Sequence, residues 1–156
     1  MTPEVISSYD NLYFVAIKIF WAILLSAAIG IEREFRHKDA GLRPHILVGV
    51  GSTLIVLTSM YLFDIYKHET SIDPTRLITG IVTGIGFVCA GAIMKAGDNI
   101  KGITTASTLW IVSGVGIAVG AGQYHAAILV TIMVLLVLIF VRSIEKIIWE
   151  KFGDKT

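Results

Sequence analysis

The sequence predicts an all-α polytopic membrane protein of five transmembrane helices, and three observations predict it. Of its 156 residues, 54% are hydrophobic and only 16% charged, against about 25% charged in an average soluble domain. A chain this short cannot hide so much apolar surface in one core, so its solvent is lipid. Five runs, Leu12–Ile31, Ile46–Phe63, Leu77–Met94, Gly102–Gly122 and Ala126–Val141, contain a single charge, Lys18. Each is close to the about 20 helical residues that cross a hydrocarbon layer of about 30 Å. The loops between them carry lopsided charge, which sets the orientation.

The elements follow in order. No Lys or Arg precedes the first span, which is unlike a cleavable signal peptide and reads as a retained helix. The first loop holds Arg33, Arg36, Lys38 and Arg43; the second holds Lys67 and Arg76; the third holds Lys95 and Lys101; the fourth holds none. The tail holds Arg142, Lys146, Lys151 and Lys155. With the N-terminus outside and the C-terminus inside, ten basic residues face the cytoplasm and two face out, as the positive-inside rule requires. Pro44 suits the first turn of the second helix. Asp73-Pro74 breaks the chain before the third. Gly120, Gly122 and Gln123 make the outer turn into the fifth. Residues 1–141 are thus a five-helix membrane domain, and residues 142–156 a short amphipathic tail suited to lie at the cytoplasmic interface. Gly30 and Gly41 are eleven residues apart, as are Gly91 and Gly102, which is compatible with a parallel repeat of helical hairpins.

Ten of the fifteen glycines lie between Gly80 and Gly122. Gly80/Gly84 and Gly116/Gly120 are GxxxG pairs, which let helix backbones approach closely in lipid. With Gly86 and Gly91 they are expected to pack the third and fourth helices tightly together. The functional alternative is an unwound helix lining a polar path, with Thr104, Thr105 and Thr108 among its oxygens.

The first loop is the densest charge cluster. A solvated turn accounts for its basic residues, but a carboxylate at a helix C-terminus opposes the helix dipole. Glu32 is therefore expected to have a partner, Arg43 or a basic residue of the third loop, as a structural pair or as a cation gate. Arg33 and Glu34 belong to the same cluster. In the third loop, Asp98 and Asn99 are expected to cap the fourth helix or shape a turn, beside Lys101. Because hard cations take oxygen ligands, Glu32 and Asp98 are the candidates for a weak Mg²⁺ site; no other cofactor is implied. Lys18 either snorkels to the outer surface, pairs inside the bundle, or takes part in ion movement.

Several classes are excluded. One cysteine, Cys89, permits no intrachain disulfide or cysteine-rich zinc site. The four histidines lie in loops or near span ends without ligand spacing. Net charge +1 is no footprint for nucleic acid. Ser52 has no histidine or acidic partner in its span, so no nucleophile–base pair and hence no enzyme is indicated.

Gly30-Ile-Glu-Arg-Glu followed by Ala40-Gly-Leu-Arg43 resembles the signature of the MgtC/SapB family of bacterial membrane proteins. So does Gly84-Ile-Gly-Phe-Val-Cys-Ala-Gly-Ala-Ile-Met94 followed by Asn99-Ile-Lys-Gly-Ile-Thr-Thr-Ala-Ser-Thr-Leu-Trp110. The similarity runs from about Leu12 to Val141. It implies a multi-pass protein of the bacterial inner membrane, linked to growth in low Mg²⁺ and, in pathogens, to survival inside macrophages. The best-studied type restrains the F-type ATP synthase rather than carrying Mg²⁺. The family's motif residues fall on Glu32, Arg33, Gly41, Arg43, Asn99, Gly102, Thr104, Thr105 and Trp110. This sequence differs in ending fifteen residues after Val141, where the virulence-associated members carry a soluble domain, and in having Asp98 before the loop asparagine. The resulting expectation is a non-enzymatic regulator that sits in lipid as a homodimer and contacts a larger membrane complex. Its rival is a small cation or solute transporter with a path along the third and fourth helices.

Overall fold

The structure is a computed structural model that describes residues 11–68, 73, 75–96 and 99–141. Five helices of membrane-crossing length and composition account for most of it: α1 (Leu12–Phe35), α2 (Leu42–Tyr66), α3 (Thr75–Ala92), α4 (Ile103–Gly120) and α5 (Tyr124–Leu136), the last continued by a π-helical turn over Val137–Val141. Between α3 and α4 the chain forms an antiparallel hairpin, β1 (Met94–Ala96) and β2 (Asn99–Lys101), in the register Met94↔Lys101, Lys95↔Ile100 and Ala96↔Asn99. Phe20, Leu47, Phe87, Leu129 and Phe140 are exposed on the outer surface. In water such a surface would aggregate; in lipid it is the solvated face. The chain is a multi-pass helical membrane protein.

The helices overrun the apolar runs because hydropathy stops at the first charge while helical hydrogen bonding does not. α1 continues one turn past Ile31, so Glu32, Arg33 and Glu34 are helical and not part of a loop. It closes with the 6→1 and 5→2 pair of bonds that ends many helices: Lys38 N–H donates to Arg33 O at 3.1 Å and His37 N–H to Glu34 O at 2.9 Å. α4 closes identically, Gln123 N–H donating to Ala118 O at 2.8 Å and Gly122 N–H to Val119 O at 3.0 Å. The residue at the left-handed position of that turn is Gly122 (φ 82°) after α4 but His37 (φ 52°) after α1. A side chain there costs about 1 kcal/mol that glycine avoids. His37→Gly is therefore expected to raise the thermal midpoint of the detergent-solubilised protein, and an unchanged or lower midpoint would show that the imidazole makes a compensating contact.

At the other end of the bundle, Asn11 caps α1 by accepting Tyr13 N–H at 3.0 Å. Asp73 caps α3, accepting from the Thr75 hydroxyl at 2.7 Å and its backbone N–H at 2.8 Å. The Thr75 hydroxyl, and then its N–H, hold the exposed Asp73 carboxyl below the usual carboxylate range. Pro74 and the tail 142–156 lie outside the described residues.

α1, α2 and α4 form the core, and small residues set their spacing. A methyl on Gly30 would stand 2.9 Å from Leu42 Cα, and one on Gly120 2.7 Å from Val56 Cβ; on Gly49 or Gly116 it would overlap Ser26 Oγ or the Gly49 carbonyl. Ala22, Leu25, Val115, Val119 and Ala127 fill the apolar centre. The glycine expectation is corrected here. Gly116 and Gly120 pack α4 against α2, not α3, while Gly80, Gly84, Gly86 and Gly91 face open space. α3 buries only Ile81 and Ile85. The GxxxG pattern marks close approach, but it does not say to what.

Candidate functional site

The end of the bundle that carries the α1–α2 turn and the β1–β2 hairpin gathers most of the sequence-predicted residues. The Glu32 carboxylate pairs with the Arg33 guanidinium beside it, and Arg36 Nε stands 3.4 Å from its second oxygen. The expected partner, Arg43 or a loop lysine, is thus replaced by neighbours on the same helix; Arg43 is exposed. Because α1 extends a turn further than hydropathy suggests, Arg36 falls at i+4, where opposite charges meet. Arg33 is 2% exposed, so the pair is buried. Glu34 does something different: its carboxylate accepts Leu42 N–H at 3.0 Å and caps α2 across the turn. Gly41 leaves room for that carboxylate, since a methyl there would overlap it.

Above this pair lies a polar cleft of about 640 Å³ lined by His37, Lys38 and Asp39 from the turn and by Ile100–Thr105 from the hairpin and the start of α4. Lys101, Thr104 and Thr105 therefore meet the first loop, as a shared site requires. Asn99 does not cap α4: it is exposed in β2, paired with Ala96, and the N-cap is Gly102. Gly102 has φ 90°, and a methyl on it would overlap the Ala92 carbonyl oxygen, so both backbone and space require glycine. Asp98 lies outside the described residues. Among the described residues no group of three or more His, Cys, Asp or Glu converges to hold a metal ion. Glu32, the other Mg²⁺ candidate, already faces two guanidinium groups, so its donor set does not fit a cation.

A polar seam runs from here through the α1–α2–α4 core. His45 is fully buried, Nδ1 2.7 Å from Gly41 O and Nε2 3.0 Å from Thr108 Oγ1, while the Thr108 hydroxyl reaches Thr105 O at 2.8 Å. Gly41 O can only accept, so Nδ1 carries a proton. Deeper, Ser52 donates to Ser113 at 3.2 Å, and the Thr53 hydroxyl bridges Gly49 O at 3.0 Å and Gly116 O at 2.8 Å. Ser26 Oγ is buried beside Gly49 without a hydrogen bond among the described residues. At the far end Lys18 is buried, its ammonium donating to Gly120 O at 2.5 Å and lying 4.5 Å from the Phe14 ring centre. It sits at the negative end of the α4 dipole. Of the three readings of Lys18, pairing inside the bundle is the one this geometry matches.

His45 and Ser26 were not legible as seam residues. An ionisable residue inside a span was the available signal, but four residues past Gly41 His45 reads as a boundary residue. Its role depends on Thr108, which only the packing of α2 on α4 supplies.

A groove of about 460 Å³ runs between α4 and α5, bordered by Thr104, Ser107 and Thr108 at one end and by Ile111, Leu129, Val130, Met133 and Val137 beyond. Its wall is apolar except for those hydroxyls.

Comparison with known proteins agrees with the motifs. The family model described as "MgtC family" matches residues 19–147. "Protein MgtC" of Salmonella typhimurium is 43% identical over 123 residues, covering 78% of this chain and 50% of that protein. "Putative magnesium transporter YhiD" of Escherichia coli (strain K12) is 41% identical over 124 residues, 78% of this chain and 58% of its own length. "Uncharacterized protein slr0014" of Synechocystis is 40% identical over 127 residues, 81% and 52% respectively. The chain thus spans about half the length of the curated relatives it matches. No solved structure matches it.

Proposed function

We propose, because this chain belongs to the MgtC family, that it is a non-enzymatic regulator in the inner membrane, linked to Mg²⁺ adaptation and acting through contacts between transmembrane helices. The contrast between two sets of small residues carries this reading. Gly49 of α2 and Gly116 and Gly120 of α4 are consumed by a close-packed seam whose hydroxyls and imidazole bond to one another. Those of α3, Gly80 and Gly84 above all, form an open face on a helix that buries two side chains. The seam's polar groups are spent largely on one another, whereas an open GxxxG face suits a second helix. The occupant proposed is α3 of a second copy, with a larger membrane complex as the eventual target. The N-terminus is placed outside and the cleft in the cytoplasm, on the strength of the basic loops. The magnesium link rests on the relatives' names.

The test is the pair Gly80→Leu/Gly84→Leu. A lost interhelical contact worth about 1–2 kcal/mol weakens dimers about tenfold. Energy transfer between labelled copies in bilayers is expected to fall accordingly, with the thermal midpoint of the monomer unchanged. Growth of a deletion strain in low Mg²⁺ is expected to fail with the same variant. Undiminished energy transfer and full complementation would sink the reading.

A further inference from the structure

The N-termini of α2 and α4 share a glycine spacing in the sequence and are finished differently. Gly41 and Gly102 are their N-caps, and each follows by eleven residues a glycine of the preceding helix, Gly30 or Gly91. At α2 the chain supplies its own anion: the Glu34 carboxylate accepts Leu42 N–H. By the same count the residue four past Gly91 is Lys95, in β1 and not in a helix, so that position encodes no carboxylate. The first intrahelical bond of α4 is Ala106 N–H to Gly102 O at 2.8 Å. The amides of Ile103, Thr104 and Thr105 therefore have no partner inside the helix, and Gly102 has no side chain to offer them. These residues line the polar cleft together with Lys38, Lys101 and His37, and among the described lining residues Asp39 is the one carboxylate. Thr105 is 2% exposed; Thr108 takes its carbonyl, and its hydroxyl bonds to no described residue.

An uncapped 18-residue helix with two ammonium groups at its N-terminus attracts an anion. The surroundings narrow the anion further. Ile103 and Thr104 belong both to the cleft and to the apolar α4–α5 groove, which continues past Ile111 and Leu129 to Met133 and Val137. A polar, cation-lined pocket and an apolar trough that share Ile103 and Thr104 as lining suit the two ends of one amphipathic molecule. The geometry points to a phospholipid site, with the phosphate at the α4 N-terminus between Lys38 and Lys101 and an acyl chain along the α4–α5 groove. The α2 terminus shows the same requirement met from within.

The test uses the full chain, delipidated in a neutral detergent and titrated with phosphatidylglycerol while bound lipid is counted by native mass spectrometry. Saturable binding of one lipid per chain is expected. The double variant Lys38→Gln/Lys101→Gln is expected to weaken it about tenfold or more, since hydrogen bonds to charged groups are the strong ones. Met133→Trp, which fills the groove without changing charge, is expected to weaken the lipid but not the binding of inorganic phosphate. Lys67→Gln, at the opposite end, is expected to leave both unchanged. A thermal midpoint without lipid confirms that each variant is folded. Phosphatidylglycerol binding unaltered in the double lysine variant would overturn the site. Inorganic phosphate or glycerophosphate binding as tightly as the lipid would overturn the acyl-chain placement and leave an anion site alone. Equal loss in Lys67→Gln would reduce the effect to surface charge and overturn both.

Discussion

Gly116→Ala is expected to destabilise the bundle by about 3 kcal/mol or more, the upper part of the range for overpacked cores. The added methyl would overlap the Gly49 carbonyl oxygen and stand 2.9 Å from Ser52 Cβ. Backbone cannot rotate aside as a side chain can. The Gly49 carbonyl is also fixed by the Thr53 hydroxyl at 3.0 Å, and the same hydroxyl reaches Gly116 O at 2.8 Å. Separating α2 from α4 to admit the methyl therefore strains the Thr53 bridge and the Ser52–Ser113 bond together. Gly114, two residues away, faces open space, so Gly114→Ala is the control: it is expected to be neutral or slightly stabilising by helix propensity. The check is the thermal midpoint and unfolding free energy of both variants in the same detergent. A neutral Gly116→Ala would mean that α2 and α4 are not in contact at this depth, and the seam would fall with it.

The pair of glycines also shows what was legible in the sequence. Five spans could be read because lipid tolerates almost no charge, which makes each run's extent a local property. The close-approach chemistry of Gly80/Gly84 and Gly116/Gly120 is local too, and the two motifs look alike. Which helix lies against each depends on how five helices assemble, and here one motif is buried and the other open. Glu32 divides similarly. That it needs a partner follows from the dipole at its helix end. The partner was misassigned because the end of α1 was placed a turn too early, hiding the i+4 relation to Arg36. The cleft was half legible: the two charged loops share one membrane face in any five-span topology, yet the hairpin that presents Lys101 and Gly102 has too few residues to announce itself by periodicity.

Glu32→Ala is expected to cost about 3–5 kcal/mol, the range for breaking a buried ion pair from one side. Its side chain is 10% exposed and that of Arg33 3%, so the loss leaves a guanidinium out of water with no carboxylate beside it and with Arg36 as a like-charged neighbour. Arg36→Ala is expected to cost no more than about 1 kcal/mol, because Arg36 is 41% exposed and its interaction is screened. The two sides of the buried pair are also unequal. Arg33→Met leaves Glu32 with Arg36 still 3.4 Å away and is expected to cost less than Glu32→Ala. Combining Glu32→Ala with Arg33→Met removes both buried charges and is expected to recover most of the loss, as apolar replacement of buried pairs often does. Unfolding free energies of the four variants decide this, and a Glu32→Ala cost below about 1 kcal/mol would mean that Arg33 reaches solvent or a lipid phosphate. The double variant also separates fold from function. If it restores stability but not growth in low Mg²⁺, the charges themselves are required beyond holding α1 in place. If it restores both, the Glu32–Arg33 pair is architecture, and the functional surface is to be sought on the open face of α3 and in the cleft above.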